Sequence, residues 1–308
     1  MSAPVTLPDH RTGTVESGDV TIFYRHFGAS RSDSPRSDSG AGTPMIVLHG
    51  QSYFSYDWIG IADELARDPE GGPDGGREIV AMDMRGFGSS GWSPGQAYKV
   101  QDFAADVLAV ADSRGWDRFI LAGHSMGGRN ATYTAAAHPE RVEKLILIDY
   151  SPTNAKAGSM RVMNQSVDMP ESFSGLDEAL RYFGLDPAKV DAAKRARFEA
   201  YLGTFDGNYT VSRDPYFREV FRKTRDEGVK PDHGADLWAC LGRVACPILV
   251  LRGRQSDMFA PETAEKVRAA NANVTLVEVE GGHNIPGDNP AGLIAALRPF
   301  LADRSAGA

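Results

Sequence analysis

Residues 119–131, FILAGHSMGGRNA, constrain what this chain can fold into more than any other stretch. The short apolar run 119–122 predicts a buried strand; Gly-His-Ser-Met-Gly follows at once, ahead of a small-residue helix over 127–137. Strand, tight turn and helix in so few residues leave Ser125 at the apex, in a strained backbone conformation that projects its hydroxyl out of the sheet. Gly123 and Gly127 spare that turn any side-chain clash. The free N–H groups and positive dipole end of the helix would lie beside Ser125, so position and electrostatics both suit a nucleophile. The bare G-x-S-x-G spacing also occurs in plain glycine-rich loops, and the flanking strand and helix are what select the catalytic reading.

Strand-like and helix-like segments alternate around this stretch. An N-terminal hairpin is expected from the alternation over 20–27, the Ser17-Gly18-Asp19 turn and a partner strand over 13–16. Apolar runs at 45–48, 79–82, 145–148, 248–251 and 274–279 read as strands, and segments at 58–66, 100–114, 261–270 and 293–301 as helices. That order predicts an α/β fold with a doubly wound, largely parallel sheet. Residues 28–43 and 68–76, rich in Gly, Ser, Asp and Pro, read as surface loops. The alternation breaks at 151–235, where helical stretches at 176–183, 188–202 and 216–227 appear without a convincing strand. An insertion at the carboxyl end of a strand covers the crevice in which such sheets bind ligands. The expected division is therefore a core of 1–150 and 236–308 with a helical cap of 151–235. Met160, Met163, Met169, Phe173, Tyr182, Phe183 and Phe205 are candidates for an apolar pocket there or, at helical spacing, for the cap's own core.

Composition excludes several function classes. With 33 Lys and Arg against 41 Asp and Glu, a net charge of −8 and no basic run, the chain lacks the means to neutralise a nucleic-acid backbone. No long uncharged apolar segment predicts a membrane span, and the first residues lack the apolar core of a secretory signal. Cys240 and Cys246 form no C-x-x-C pair and have no nearby histidine, so neither metal nor a redox pair is expected, and a reducing cytoplasm is the default location. Gly86-x-Gly88-x-x-Gly91 matches the dinucleotide-binding spacing, but Trp92, Pro94 and Gly95 stand where a helix should open to receive a pyrophosphate. No organic cofactor is expected. Asp83 and Arg85 read as a local ion pair and backbone clamp for that turn.

The run 45–48 ends in His49-Gly50, and the turn after it can aim the N–H of Gln51 at the point served by the N–H of Met126, a two-donor oxyanion hole. The plain alternative is a βα turn with a buried His49. This His-Gly turn, the Gly-His-Ser-Met-Gly elbow, the cap and a final Gly282-His283 together resemble the α/β-hydrolase superfamily over residues 13–302. The resemblance implies the order nucleophile, acid, histidine, and so assigns Ser125 as nucleophile and His283 as general base. In most of the family the acid follows the strand at 248–251, three residues past a glycine; here that position is Ser256, and Asp257 comes one later. Some members, among them small esterases and an amide hydrolase acting on acetamidomethylene-succinate, carry it at the position matching Asp149, 24 residues after Ser125. They also have Arg-Gly-x-x-Ser, as in Arg252-Gly253-Arg254-Gln255-Ser256 here. Asp149 is the preferred acid and Asp257 the rival.

The resemblance implies acyl transfer to water through an acyl-enzyme, with no metal and no organic cofactor. The partner expected is a small-molecule ester, with no nucleic acid and no membrane. The cap carries Arg161, Arg181, Arg195, Arg197, Arg213, Arg218, Arg222 and Arg225, and one of them turned inward would hold a substrate carboxylate. Enzymes similar to this chain hydrolyse small esters or amides with a free carboxylate, such as monoalkyl phthalates, the specific substrate suggested. The alternatives are a general short-chain esterase or lactonase, an amide or C–C bond hydrolase, a cofactor-free perhydrolase, and a small-molecule receptor of the same fold.

Overall fold

The computed structural model describes residues 6–28, 42–68, 76–205 and 207–303. Most of the two expected surface loops, 28–43 and 68–76, lies outside them. The chain opens with a hairpin of β1 (Arg11–Ser17) and β2 (Val20–Phe27). There follow β3 (Gly42–Leu48), a 3-10 turn (Ser55–Trp58) running into α1 (Ile59–Ala66), β4 (Arg77–Met82), α2 (Val100–Ser113), β5 (Phe119–His124), α3 (Met126–Ala137) and β6 (Val142–Ile148). The inserted segment expected to form the cap holds α4 (Lys156–Val167), α5 (Leu176–Tyr182), α6 (Ala192–Tyr201), β7 (Leu202–Phe205), β8 (Asn208–Val211) and α7 (Tyr216–Glu227). The chain then returns through α8 (Leu237–Arg243), β9 (Ile248–Gly253), α9 (Pro261–Ala270), β10 (Val274–Val279), α10 (Ile285–Asp288) and α11 (Pro290–Ala302).

The large sheet has the order β1-β2-β4-β3-β5-β6-β9-β10, antiparallel at the first hairpin and at β2·β4 and parallel from β4 to β10. Because side chains alternate across a strand, both faces of the central strands need a cover. Ile46, Leu48 and Leu121 enter one core with Phe103 and Val107 of α2, Ala131 of α3 and Leu241 of α8. Met45, Val47, Ile120 and Ala122 enter the other with Leu65 of α1 and Leu293 and Leu297 of α11. This is the doubly wound α/β architecture expected, with three layers. From β3 the chain passes to β4 on one side and then crosses back to β5 on the other, so the switch point, where open α/β sheets bind ligands, lies between the carboxyl ends of β3 and β5.

Two readings need correction. The inserted segment is not free of strands: β7 and β8 pair antiparallel from Leu202↔Val211 to Phe205↔Asn208. Each is four residues long, too short for alternation to register, although the Asp-Gly dipeptide at 206–207 is a hairpin signal. The segment also has its own apolar cluster, in which Met169, Phe173, Leu180, Phe198 and Tyr201 pack on Phe54 from the core, while Met160 and Tyr182 are exposed. The second correction concerns Asp83 and Arg85, which are not a pair. Asp83 clamps backbone, accepting from the N–H groups of Ser55 (2.6 Å) and Ser89 (2.8 Å). Arg85 reaches across to α2 and donates Nε and Nη2 to the two oxygens of the fully buried Asp106, at 2.7 and 2.6 Å. No sequence spacing announces a partner 21 residues away.

The dinucleotide-like glycines thereby acquire a structural role. Gly88 has φ +57, and a Cβ there would meet Asp83 Oδ2 at 2.2 Å, so only glycine fits above the clamp. The same segment meets the insertion between β8 and α7: Gly88 N–H donates to Ser212 O at 2.7 Å, and Asp214 N–H to Gly86 O at 2.8 Å.

Removing Asp106 leaves the buried Arg85 guanidinium with only the Ala97 carbonyl at 3.0 Å and the longer approach to Asp19 at 3.5 Å. Asp106→Ala is expected to lower the unfolding free energy by about 3–5 kcal/mol, measured by urea denaturation. A loss below about 1 kcal/mol, the range of exposed pairs, would show that the pair does not hold α2 to this turn.

Candidate active site

The site is assembled at the carboxyl edge of the sheet from four strand ends. Ser125 follows β5 with φ 52° and ψ −116°, a positive-φ conformation that a non-glycine residue rarely adopts. The strain persists because the surroundings leave no alternative. A Cβ on Gly123 would lie 2.3 Å from Gly127 O, and one on Gly127 would lie 2.5 Å from Leu48 O, so strand, helix and the end of β3 are in direct backbone contact. Ser125 N–H donates to Ile148 O at 3.0 Å, which fixes the apex to β6.

Asp149 leaves β6 with φ 44°, a second positive-φ residue at the same edge. Its carboxylate is buried and fully engaged. Oδ1 accepts from Gly253 N–H at 2.8 Å; Oδ2 accepts from Ser256 Oγ at 2.5 Å and from His283 Nδ1 at 2.7 Å. Three donors compensate the loss of water around the charge. Ser256 is itself held, its oxygen accepting from the N–H groups of Met258 and Phe259. His283, in the loop after β10, completes the line: its Nε2 lies 2.9 Å from Ser125 Oγ. With Nδ1 donating to a carboxylate, Nε2 is left to accept the serine proton.

Asp257, the rival acid, points elsewhere. It receives Arg161 Nε at 2.6 Å and Nη2 at 2.8 Å, and these hydrogen bonds lower its pKa. Its backbone carbonyl accepts Gly158 N–H, so this residue ties α4 to the loop after β9. The position three past Gly253 holds a hydroxyl that bonds to the carboxylate supplied by the neighbouring strand.

Gln51 and Met126 follow the carboxyl ends of the paired strands β3 and β5, at the switch point. As the first residue of α3, Met126 has a backbone N–H outside the helical ladder. Gln51 follows the His49-Gly50 turn, and a Cβ on Gly50 would come within 2.9 Å of the ring of His124, beside Ser125. His49 is buried under this turn: its Nδ1 donates to Gly50 O (2.8 Å) and its Nε2 accepts from Met84 N–H (2.9 Å). That is a neutral tautomer, in keeping with a pKa lowered by burial.

One positioning residue escapes the sequence. His124 donates Nε2–H to the carbonyl of His283 at 2.8 Å, and its ring stands edge-on to Tyr53 at 5.2 Å. Burial, with the neighbouring His283, pushes its pKa down to about 3. It holds the backbone that carries the imidazole, and only the fold brings these residues, 159 apart, together.

The cap arginines sort by partner. Arg161, Arg195, Arg222 and Arg225 pair with carboxylates on or near the surface. Arg197 pairs with Asp57 and lies over the Tyr201 ring at 4.6 Å, pinning α6 to the core. Arg218 donates to Val167 O, and Arg181 is exposed. Arg213 alone of the eight is buried, at 8% exposure, and its Nη1 donates to Gln51 O at 3.3 Å.

A family model described as the alpha/beta hydrolase fold matches residues 43–290. The chain belongs to this hydrolase family. It is similar to epoxide hydrolase 4 of Mus musculus, 34% identical over 98% of this chain and 83% of that one. It is similar also to the 3-hydroxybutyrate-oligomer hydrolase of Cupriavidus necator, 26% identical over 83% of this chain and 87% of that one. Among solved structures it matches E-2-(acetamidomethylene)succinate hydrolase with a TM-score of 0.77 at 21% identity, covering 96% of this chain and all of that one. Family members thus cut different bonds on a shared frame, and the chemistry of this chain has to be argued from its site. Among the described residues no helix is long and apolar enough to cross a membrane.

Two of the histidines whose pKa is lowered, His124 and His233, make stability pH-dependent. His124 takes up a proton near 3 when folded and near its ordinary value of about 6.5 when unfolded; for His233, buried beside Arg129, the folded value is about 4. Between those limits the unfolded chain binds more protons. Their contribution is therefore fully present above about pH 6.5 and lost progressively as pH falls toward the folded values. The urea midpoint is expected to decrease from pH 7 to pH 4.5, and to decrease less in His124→Gln; an equal decrease in both proteins would show that the fold does not depress the titration of His124.

Proposed function

We propose that the protein is a serine hydrolase that cleaves a small carboxylic ester through an acyl-enzyme. The observation that carries this reading is the continuous hydrogen-bonded line from Ser125 Oγ to His283 Nε2 (2.9 Å) and from His283 Nδ1 to Asp149 Oδ2 (2.7 Å). His283 takes the hydroxyl proton as Ser125 Oγ attacks the ester carbonyl. The N–H groups of Gln51 and Met126 receive the oxyanion, and Asp149 stabilises the imidazolium formed. Collapse of the tetrahedral intermediate expels the alcohol, which takes the proton from His283. Water, deprotonated by the same imidazole, then attacks the acyl-enzyme and releases the acid.

A serine nucleophile also argues against epoxide opening, the reaction named for one relative, and against carbon–halogen cleavage. Attack of Ser125 on an epoxide or a carbon–halogen centre would leave an alkyl ether, which this base and water have no route to cleave, whereas an acyl ester turns over. For the substrate we favour a monoester with a free carboxylate, a monoalkyl phthalate in particular. The support is the buried, inward guanidinium of Arg213 in a cap whose other arginines are mostly spent on protein carboxylates.

Two experiments test the proposal. Ser125→Ala should abolish ester hydrolysis. Asp149→Asn should lower kcat by about three to four powers of ten with KM little changed, while Asp257→Asn costs far less. Full activity in Asp149→Asn and loss in Asp257→Asn would transfer the acid's role to Asp257. Separately, a monoalkyl phthalate should exceed its methyl-capped diester in kcat/KM by about 1.5–3 kcal/mol of transition-state binding. Equal values for the two esters would remove the carboxylate from the substrate description.

A further inference from the structure

Three of the arginines buried most deeply in the described chain have evident occupations. Arg85 binds Asp106, Arg252 binds Glu278 and the carbonyl of Phe259, and Arg77 caps the carbonyls of Thr43 and Leu301. Arg213 differs. It has five N–H donors and makes one long hydrogen bond, Nη1 to Gln51 O at 3.3 Å; no carboxylate pairs with it among the described residues. Its charged neighbour is unhelpful: Arg218 has the same sign. Burial of a cation with so little compensation is costly.

A second unpaired donor belongs to the residue it touches. The side-chain Nε2 of Gln51 is buried and has no hydrogen-bond partner among the described residues. A guanidinium and a carboxamide N–H₂ are both donors, so what is missing is an acceptor, and beside a guanidinium an anionic one. The location then restricts the ligand. Arg213 is held against the carbonyl of Gln51, whose own backbone N–H is the oxyanion donor of the proposed reaction.

We infer that Arg213 and the Gln51 carboxamide form the subsite for a substrate carboxylate, one placed next to the scissile carbonyl rather than at the far end of the acyl group. The inference rests on the serine-hydrolase reading. It specifies an ortho-type arrangement, as in a phthalate monoester, with the two carbonyl carbons on adjacent ring atoms. A terephthalate monoester carries the same charge and the same alcohol, but its carboxylate lies across the ring and out of this subsite. Arg129, a half-buried guanidinium near the elbow, is less suited: Nε and Nη1 are committed to Asn130 and His233.

The test compares kcat/KM for monobutyl phthalate, monobutyl terephthalate and methyl butyl phthalate in the full-length wild type, Arg213→Gln and Gln51→Leu, the last keeping the backbone N–H. The wild type should prefer the ortho monoester to both other esters. The ratio of ortho monoester to neutral diester should fall about 10- to 100-fold in Arg213→Gln, the span expected for a charged hydrogen bond, and less in Gln51→Leu. Arg213→Lys, which keeps the charge without the fork, should lie between wild type and Arg213→Gln. A ratio unchanged in Arg213→Gln, whether both rates fall or neither does, overturns the assignment, as does an equal preference for the para monoester.

Binding to Ser125→Ala, followed by calorimetry, makes the result independent of turnover. Monobutyl phthalate should bind about 10-fold or more tighter than methyl butyl phthalate, and Arg213→Gln on that background should erase the difference. No difference in Ser125→Ala itself overturns the subsite even if Ser125 is the nucleophile. Conversely, a difference that Arg213→Gln erases upholds the subsite even if the ester chemistry is assigned wrongly.

Discussion

The turn at Ser125 is the constraint on which the rest of the molecule depends. Its positive φ is tolerated because β5, α3 and the end of β3 meet backbone to backbone, with less than a methyl group's room at Gly123 and Gly127. That contact has three consequences at once. It raises the serine hydroxyl above the sheet, aims the start of α3 at the switch point, and brings the His49-Gly50 turn against the same spot. Strain of about 1–3 kcal/mol is the ordinary scale for such a residue, and the buried strands on both sides are ample to hold it. Asp149, at the next strand end, repeats the device with φ 44°.

From that point the site is built by hydrogen bonds between loops that leave the sheet edge separately. Asp149 joins three of them, taking donors from Gly253, Ser256 and His283. His124 joins the elbow to the His283 loop through a backbone carbonyl. The imidazole is thus fixed on two sides, by a carboxylate at Nδ1 and by its own main chain. Because His124 is neutral and dry, this support weakens in acid, which connects the geometry of the site to the stability of the fold.

The cap is tied to the core by specific polar contacts. Arg197 with Asp57, Arg161 with Asp257, and the exchanges of Gly86 and Gly88 with Asp214 and Ser212 seat the inserted segment against the core. The glycines that imitate a dinucleotide motif are part of this seating. Arg213, adjacent to the same exchanges, is carried inward by it to Gln51.

Local pattern alone determined the elbow, the alternation of strands and helices, the three-layer α/β class and the place of the insertion. Those features depend on period, glycine and turn chemistry within a dozen residues. The His-Gly turn and the final Gly-His were legible for the same reason. What only the tertiary structure decided involves partners far apart in the chain. Asp106 for Arg85 and the β7·β8 pairing are of this kind, as are the bonds of His124 and Ser256 to His283 and Asp149. The surroundings of the two carboxylates are also of this kind: the sequence preferred Asp149 to Asp257 from the position of Ser256 and the Arg-Gly-x-x-Ser run, and the fold adds that Asp149 is buried within reach of the imidazole while Asp257 is turned outward onto Arg161. The same holds for the eight cap arginines, identical in sequence character. Seven face solvent or a protein partner at the surface or the seam with the core, and the fold buries the eighth against the turn that carries Gln51, because a side chain's burial is set by the elements packed around it and not by its neighbours in sequence.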